Sequence, residues 1–396
     1  MACSAPIQIA PPGEDAQPRY ASQVVAKVSW EQALAWRMQR HLLDPVGNVP
    51  VESVVRRLCG VQAQVSSSAE LAVRVRRETS QPGEVGTALS DGRLIRTWAM
   101  RGTLHLLTPE EGGAFLSVMA AGRTWERPSW QRYFGVNARV MDALRGAVRE
   151  ALDGTVLTRD ELIAAVTATS GLAHVGEALR SGWGTLLKPV AWQGDLCFGP
   201  SRGTRVTFML PEAASSRWAG VPDPDRAGPL AITAYVGAYG PTTARSFGNW
   251  LASGWSSKRQ FRTWFDALGD RLAEVELDGE RAYVLAEDLD GLLAARPTRA
   301  VRLLPGFDQY VLGPGTDDGR VVPSARRAAV SRQSGWISPV VVAGGVVCGT
   351  WELDRDVVRI AWFAEAFRPP NGAIAAEVAR LSPIVGRDLS LAIRLV

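Results

Sequence analysis

The stretch from Leu94 to Thr108, LIRTWAMRGTLHLLT, decides the predicted fold. Residues typical of β-strands lie on both sides of Arg101-Gly102, which indicates two strands joined by a turn. Three helical patterns precede this hairpin: WEQALAWRMQRHLL after Ser29, VESVVRRLCGVQAQ after Pro50, and Ser68 to Arg77. Three helices followed by a hairpin is the element order of a winged helix.

The same order of elements occurs twice more along the chain. The second set consists of a helix from Asn137 to Asp153, a capping box formed by Thr158 and Glu161, a helix from His174 to Leu187, and the hairpin DLCFGPSRGTRVTFML. The third set consists of short helices over Pro229–Tyr239, Pro241–Leu251 and Ser257–Leu268, and a hairpin around Asp278-Gly279. The repeat is one of element order, since the three sets share no close sequence similarity.

These patterns predict an α+β fold that is mainly helical, with three tandem winged helix-turn-helix modules and a C-terminal segment that contains a β-hairpin. The predicted boundaries are a flexible tail over 1–26, modules over 27–125, 126–215 and 229–298, a linker over 216–228, and the C-terminal segment over 299–396. A helical bundle carrying additional hairpins would give much the same pattern, and the sequence pattern leaves that alternative open.

Length and composition exclude several classes of protein. The chain has 396 residues, of which 46% are hydrophobic, and no apolar run approaches the roughly 20 residues that a membrane helix requires. The first 26 residues contain Pro, Gly, Glu and Asp where a secretory signal would be apolar. A soluble cytoplasmic protein is therefore expected, without a membrane partner.

The cysteines and histidines do not have the spacing of a metal site. The four cysteines lie far apart, only three histidines are present, and no CxxC or HExxH pattern occurs. We therefore expect neither a metal nor another cofactor, and free thiols are consistent with a reducing cytoplasm.

The basic residues are almost all arginine. The net charge is +4, and of the 44 basic residues only Lys27, Lys188 and Lys258 are lysine. A GC-rich genome explains such a bias without reference to function. The alternative is functional, because the planar guanidinium binds phosphates with two hydrogen bonds and stacks on bases.

Basic and aromatic residues alternate in three stretches, as in a surface that binds DNA phosphates. A solvated helix face with its aromatic residues turned inward would give the same pattern. The candidate DNA-binding residues from these stretches are Arg123, Arg127 and Arg132, then Lys258, Arg259 and Arg262, and finally Arg332.

The sequence lacks the motifs of nucleophilic and phosphoryl-transfer enzymes, since it contains neither GxSxG nor a P-loop. His105 lies on an apparent strand, where a histidine is more often a hydrogen-bonded core residue than a catalyst. Acyl and phosphoryl transfer are therefore not expected.

Four motifs in a fixed order resemble a known family: LCGVQAQ (Leu58–Gln64), TWAMRGTLHLLTPEE (Thr97–Glu111), LLPGFDQYVLG (Leu303–Gly313) and GWISPVVVAGGVVCGTW (Gly335–Trp351). Together they resemble the winged-helix DNA glycosylases of the AlkZ and YcaQ type, from about residue 28 to the end. The resemblance implies a concave basic surface that binds double-stranded DNA. It also implies a catalytic Gln-x-Gln motif, which Gln62 and Gln64 match.

Gln64 indicates the AlkZ branch, because the YcaQ branch has Asp at that position. The branch implies removal of bulky or crosslinked N7-alkylated purines and self-resistance to a DNA-alkylating natural product. A monofunctional enzyme is expected, since no lysine lies near the motif in the sequence to form a Schiff base. We also expect a monomer that is associated with the nucleoid. Two alternatives remain at this point: Gln62 and Gln64 cap or bridge helix ends, and the protein is a non-enzymatic regulator or drug-sequestering factor.

The segment Arg101–His105 is predicted to border the reaction centre. Strand alternation would place Arg101, Thr103 and His105 on one face, towards DNA, and Gly102 and Leu104 on the other. In the alternative interpretation His105 donates to a buried carbonyl and only holds the wing.

Overall fold

The computed structural model describes residues 25–182, 184–252 and 258–396. The predicted tail falls outside this part of the chain, except for its last two residues. Ala26 already belongs to a strand. This strand, β1 (Ala26–Val28), pairs in parallel with a strand more than 240 residues later, between Leu272 and Leu277. The fold is mixed α+β and mainly helical, as predicted.

The first helix, α1 (Trp30–Arg40), begins at Ser29, whose side chain accepts a hydrogen bond from the Gln32 backbone N–H. Ser29 and Gln32 have the spacing of a capping box, but only half of it forms, because the Gln32 amide donates instead to the carbonyls of Leu292 and Leu293. Helix α1 is thus hydrogen-bonded to a part of the chain about 260 residues away.

The first winged helix consists of α2 (Val51–Arg57), β2 (Val61–Gln62), α3 (Ser66–Arg74), α4 (Glu84–Ser90), β3 (Ile95–Trp98) and β4 (Leu104–Leu107). The helix predicted after Pro50 is therefore too long, since it ends at Arg57 and Gln62 lies on a strand. Helix α4 was not predicted, because its sequence EVGTALS has only two buried apolar residues, Val85 and Ala88. Two helices follow the wing, α5 (Pro109–Ala120) and α6 (Pro128–Phe134).

The second set of elements comprises α7 (Ala138–Leu152), β5 (Leu157–Thr158), α8 (Arg159–Ala168), α9 (Gly176–Arg180), α10 (Leu187–Trp192), β6 (Cys197–Phe198) and β7 (Thr207–Met209). The capping box of Thr158 and Glu161 is confirmed. The continuous helix predicted from His174 to Leu187 is wrong: a 3-10 turn and two short helices replace it.

The third set comprises α11 (Pro211–Ala214), α12 (Pro224–Tyr239), α13 (Ala244–Ala252), α14 (Lys258–Asp266), β8 (Leu272–Leu277), β9 (Glu280–Leu285) and α15 (Leu289–Ala294). The segment predicted as a linker is thus partly helical, since α12 begins five residues before Pro229. The turn at Asp278-Gly279 is confirmed, and both residues have positive φ, as a two-residue hairpin of this type requires.

The C-terminal segment contains β10 (Val301–Leu304), α16 (Gln309–Leu312), α17 (Arg327–Val330), β11 (Val340–Ala343), β12 (Val346–Asp354), β13 (Val357–Trp362), α18 (Asn371–Val385) and β14 (Ser390–Leu395). Its five strands form one sheet in the order β10-β11-β12-β13-β14. Strand β14 was not predicted, because the sequence SLAIRL is short and mostly exposed.

Two further sheets join elements that are distant in sequence. Strands of the first and second sets form one six-stranded sheet, in the order β2-β4-β3-β6-β7-β5, through the pairing of Arg96 with Phe198. Strand β1 adds to the hairpin β8-β9 of the third set. The module boundaries given above remain a proposal.

Helices α5 and α12 pack against each other at the centre of the largest hydrophobic core. Nine of the twelve residues of α5 are buried, and Gly113 allows the backbone of Gly220 to approach: a Cβ at Gly113 would lie 1.7 Å from the Gly220 carbonyl oxygen. Within the described residues, no helix has the length and apolar composition of a membrane span.

Candidate active site

A tight turn leads from α2 into the Gln-x-Gln segment. Cys59 and Gly60 both have positive φ, 55° and 93°, and a Cβ on Gly60 would lie 2.7 Å from the Leu107 side chain. The hydroxyl of Tyr239, at the end of α12, donates to the Leu58 carbonyl at 2.8 Å. The third winged helix therefore helps to hold the turn that places Gln62.

Gln62 lies in a row of three side chains across adjacent strands. It is opposite His105 on β4, and His105 is opposite Thr97 on β3, so that the three side chains share one face of the sheet. All three are buried, and Gln62 is 6% exposed. Gln64, two residues further along, is exposed. The motif thus has one buried and one exposed glutamine.

Arg101 fixes the orientation of the Gln62 carboxamide. Its Nη2 donates to Gln62 Oε1 at 3.4 Å, and its Nη1 donates to the Trp250 carbonyl at 3.0 Å. A guanidinium has no acceptor, so the amide oxygen of Gln62 must face Arg101 and its NH2 group must point elsewhere. Burial lowers the pKa of Arg101, and no carboxylate in the described residues pairs with it.

The predicted alternation of Arg101, Thr103 and His105 along a strand is wrong at its start. Met100–Gly102 form a 3-10 turn with Arg101 at φ 56°, and β4 begins only at Leu104. The turn nevertheless brings Arg101 to Gln62. Thr103 closes the same turn by donating from Oγ1 to the Met100 carbonyl at 3.2 Å.

His105 is neutral, and only one of its two ring nitrogens has a hydrogen-bond partner among the described residues. Its Nδ1 lies 3.0 Å from the Thr103 carbonyl oxygen, which can only accept, so Nδ1 carries the proton. Burial, with a smaller contribution from Arg101, lowers the pKa of His105 to about 3. Its Nε2 and the Oγ1 of Thr97 are buried and have no partner among the described residues. His105 therefore holds the wing, as the structural interpretation had it, and also presents a free acceptor beside Gln62.

Lys188 of α10 lies against the same turn. A Cβ on Gly102 would be 3.6 Å from Lys188 Nζ and 3.7 Å from the ring of Trp192. Burial lowers the pKa of Lys188, and the amine has no hydrogen bond or ion pair with any described residue. The expectation that no lysine lies near the motif holds along the sequence, while in space Lys188 lies against Gly102, the neighbour of Arg101.

The remaining predicted DNA-binding residues lie on other parts of the surface. Arg123 is exposed and pairs with Glu126 at 3.2 Å, Arg127 precedes α6, and Arg132 is exposed in its last turn. Arg259 and Arg262 are exposed on α14, while the side chain of Lys258 lies outside the described residues. Their contacts with DNA stay a prediction.

Arg332 is exposed on a short loop whose ends pair at Ser331 and Ile337. A Cβ on Gly306 would lie 2.8 Å from the Ile337 carbonyl oxygen and 3.8 Å from Ser68 Oγ. The loop is therefore close to the first turn of α3, which follows the Gln-x-Gln segment.

Sequence reasoning missed the roles of Thr97, Lys188, Trp250 and Tyr239. The only signal for Lys188 was its rarity, as one of three lysines in the chain.

The LLPGFDQ motif has a structural role: Asp308 forms a fully buried bidentate pair with Arg76, at 2.7 and 2.8 Å. In the described residues, no three His, Cys, Asp or Glu side chains group so that they could hold a metal.

Comparison with known proteins adds independent evidence. The family model of AlkZ-like DNA glycosylases matches residues 55–384. The chain is 48% identical over 362 residues to the interstrand DNA cross-link repair glycosylase of Streptomyces sahachiroi, covering 90% of this chain and 98% of that protein.

Comparison with solved structures also identifies a DNA glycosylase as similar. The structure of the Streptomyces sahachiroi DNA glycosylase AlkZ superposes with a TM-score of 0.90 at 47% identity, covering 93% of this chain and all of that one. The family-model match over residues 55–384 includes the Gln-x-Gln motif and the wing turn. These similarities decide against a non-enzymatic regulator: the chain belongs to the AlkZ-like DNA glycosylase family and is a DNA glycosylase.

Proposed function

We propose that this enzyme hydrolyses the N-glycosidic bond of bulky or crosslinked N7-alkylated purines in double-stranded DNA, with Gln62 and Gln64 as its catalytic residues. Its cellular role in this proposal is self-resistance to a DNA-alkylating natural product. The name of the Streptomyces sahachiroi relative, an interstrand DNA cross-link repair glycosylase, supports the crosslinked substrate.

One observation carries the assignment: a buried glutamine is oriented by a cation, and an exposed glutamine follows it two residues after the end of the strand. Gln62 accepts from Arg101, whereas Gln64 is exposed. A pair that only capped helix ends would hydrogen-bond to helix backbone, and no such bond from either side chain is present in the described residues. The pair is instead directed to an external ligand.

The chemistry suits neutral amides. A purine alkylated at N7 is already cationic and is a good leaving group, so the enzyme must stabilise a sugar with developing positive charge and position a water molecule. The exposed carbonyl of Gln64 can accept from that water and face the sugar. The NH2 group of Gln62, turned away from Arg101, can donate to the same water. Neither amide carries the desolvation cost of a buried carboxylate.

The open position of Gln64 also suits a bulky lesion. Flipping a base into a closed pocket costs a few kcal/mol, and a crosslinked base is tethered to the other strand. Because Gln64 is exposed, the sugar can reach it without complete extrusion of the base. We place the enzyme at the nucleoid as a monomer that contacts double-stranded DNA through its arginines.

The test uses a duplex that carries one defined N7-guanine adduct and a second duplex with an N7 crosslink. We expect release of the free modified base and an alkali-labile abasic site at a rate above spontaneous depurination. Equal loss with and without protein would refute the proposed substrate. Borohydride added during the reaction tests monofunctionality: we expect no covalent protein–DNA complex, and a complex lost in Lys188→Arg would show a Schiff base instead.

A further inference from the structure

The wing turn Met100–Gly102 carries two cations, contributed by different winged helices. Arg101 belongs to the turn itself, and its guanidinium lies on the side of Gln62 and Trp250. Lys188 comes from α10 of the second set, and its amine lies against Gly102. The absence of a side chain at Gly102, whose φ is 69°, leaves room for the lysine at the apex of the turn.

Neither cation is neutralised by the protein. Other arginines of the second set pair with a carboxylate: Arg145 and Arg149 both pair with Asp195. Arg101 donates only to neutral oxygens, and Lys188 has no polar partner among the described residues. Partial burial of two unpaired cations is unfavourable unless a ligand supplies negative charge. The lowered pKa of each group is consistent with that cost.

The position of the turn identifies the anion. The turn joins the two strands that hold Thr97 and His105 beside Gln62, so a group bound at the turn lies next to the reaction centre. The polyanion that a DNA glycosylase presents there is the phosphate backbone. Phosphate contacts fix the register of a protein on DNA without reading its sequence, which suits an enzyme that must recognise a lesion in any context.

We propose that Lys188 binds a backbone phosphate of the DNA strand that passes the Met100–Gly102 turn, and so positions the strand relative to Gln62. This inference rests on the proposed function only in taking Gln62 as the reaction centre. It assigns to the second winged helix a direct part in positioning DNA at the catalytic site of the first. Lys188 is a positioning residue in this arrangement.

The test is a salt series with undamaged double-stranded DNA, which requires no excision. We expect Lys188→Met to weaken binding about three- to tenfold at low salt and to reduce the slope of log affinity against log salt by about 0.9, the value for one phosphate contact. Lys188→Arg should restore both quantities. Methionine can fill the space of the lysine stem, and circular dichroism and the melting temperature report whether each variant is folded.

Lys27→Met is the matched control. The Lys27 side chain is 80% exposed and pairs with Glu276 at 3.3 Å on the β1–β8 edge, so its loss should leave the slope unchanged. A folded Lys188→Met protein with the slope of the wild type would overturn the proposal, even if its excision rate fell. Wild-type protein that binds DNA but excises no adduct would contradict the proposed function alone.

Discussion

Gln62 lies directly opposite His105 in the antiparallel pairing of β2 with β4. The imidazole is neutral and donates through Nδ1 to the Thr103 carbonyl, so it cannot repel a cationic substrate. The nearest fixed charge to Gln62 is Arg101, which holds the carboxamide by its oxygen. The proposed reaction centre is therefore built from neutral acceptors and donors, with Arg101 at its border.

We expect Gln62→Ala and Gln64→Ala each to lower the excision rate by at least about tenfold and to leave DNA affinity within a few-fold. The amides act on the transition state, whereas phosphate contacts supply most of the affinity. Single-turnover excision and fluorescence anisotropy measure the two quantities on the same duplex. Parallel loss of binding and excision would show that the glutamines have a structural role.

Gln64→Asp is expected to retain part of the activity, since the exposed position lets a carboxylate stay hydrated while it accepts a hydrogen bond from water. Gln62→Asp is the matched comparison. It places the carboxylate at a buried site beside Arg101, where the resulting ion pair would hold it away from the water, and we expect a larger loss. Equal activity of the two variants would contradict the division into a buried and an exposed glutamine.

Charge reversal in the stretch from Arg123 to Arg139 should flatten the salt dependence of DNA binding. Arg123→Glu and Arg132→Glu each remove an exposed cation, and each lost phosphate contact should reduce the slope by about 0.9. Arg281→Glu is the control, because Arg281 is 82% exposed at the hairpin β8–β9, outside the predicted contacts. If Arg281→Glu reduced the salt slope as much as Arg123→Glu or Arg132→Glu, the effect would come from net charge, and the predicted contact surface would be wrong.

The modular order of helices and hairpins could be predicted because each hairpin is marked by local turn chemistry. Asp278-Gly279 and the Thr158/Glu161 capping box form as the sequence predicted. The helix after Pro50 was predicted too long because Val61 continues the helical spacing of Val54 and Leu58. Cys59 and Gly60 end that helix through positive φ values, and Cys59 gives no such signal in the sequence.

Contacts between distant segments could not be predicted from the sequence. Arg101 was predicted to border the reaction centre on a strand face shared with Thr103 and His105, whereas it reaches Gln62 from the 3-10 turn. The approach of Lys188 to Gly102 depends on how two winged helices share one sheet through Arg96 and Phe198. Residue patterns specify elements, whereas such approaches arise only when the sheet is assembled.

The buried pair of Arg76 and Asp308 should stabilise the junction between the first winged helix and the C-terminal sheet. We expect Asp308→Ala to lower the free energy of unfolding by about 3–5 kcal/mol, because it leaves a buried arginine unpaired. The double variant Arg76→Met/Asp308→Leu should recover part of this loss. Asp354→Ala removes an exposed partner of Arg359 and should cost at most about 1 kcal/mol. Denaturant unfolding measures all three.

Acidification should destabilise the fold through its two buried histidines. Burial lowers the pKa of His105 to about 3 and that of His41 well below its usual value, so between about pH 6.5 and pH 3 the unfolded chain binds protons that the folded chain does not. Stability therefore falls as pH falls, by about 1.4 kcal/mol per pH unit for each histidine. His105→Gln should remove one such contribution from the slope.

The unpartnered atoms behind Gln62 give the last prediction. Thr97 Oγ1 and His105 Nε2 are buried, face the same side of the sheet as Gln62, and have no partner among the described residues. A buried hydroxyl without a partner costs about 1–3 kcal/mol, so Thr97→Val should stabilise the protein if the hydroxyl has no function. We expect instead that a water molecule links these atoms to the amide of Gln62. Thr97→Val and His105→Ala should then reduce single-turnover excision about tenfold without changing DNA affinity, and Thr97→Ser should retain activity. A more stable, fully active Thr97→Val protein would show that the two polar atoms play no part in the reaction. A His105→Ala protein with a lower melting temperature, whose folded fraction stays active, would show that His105 only holds the wing.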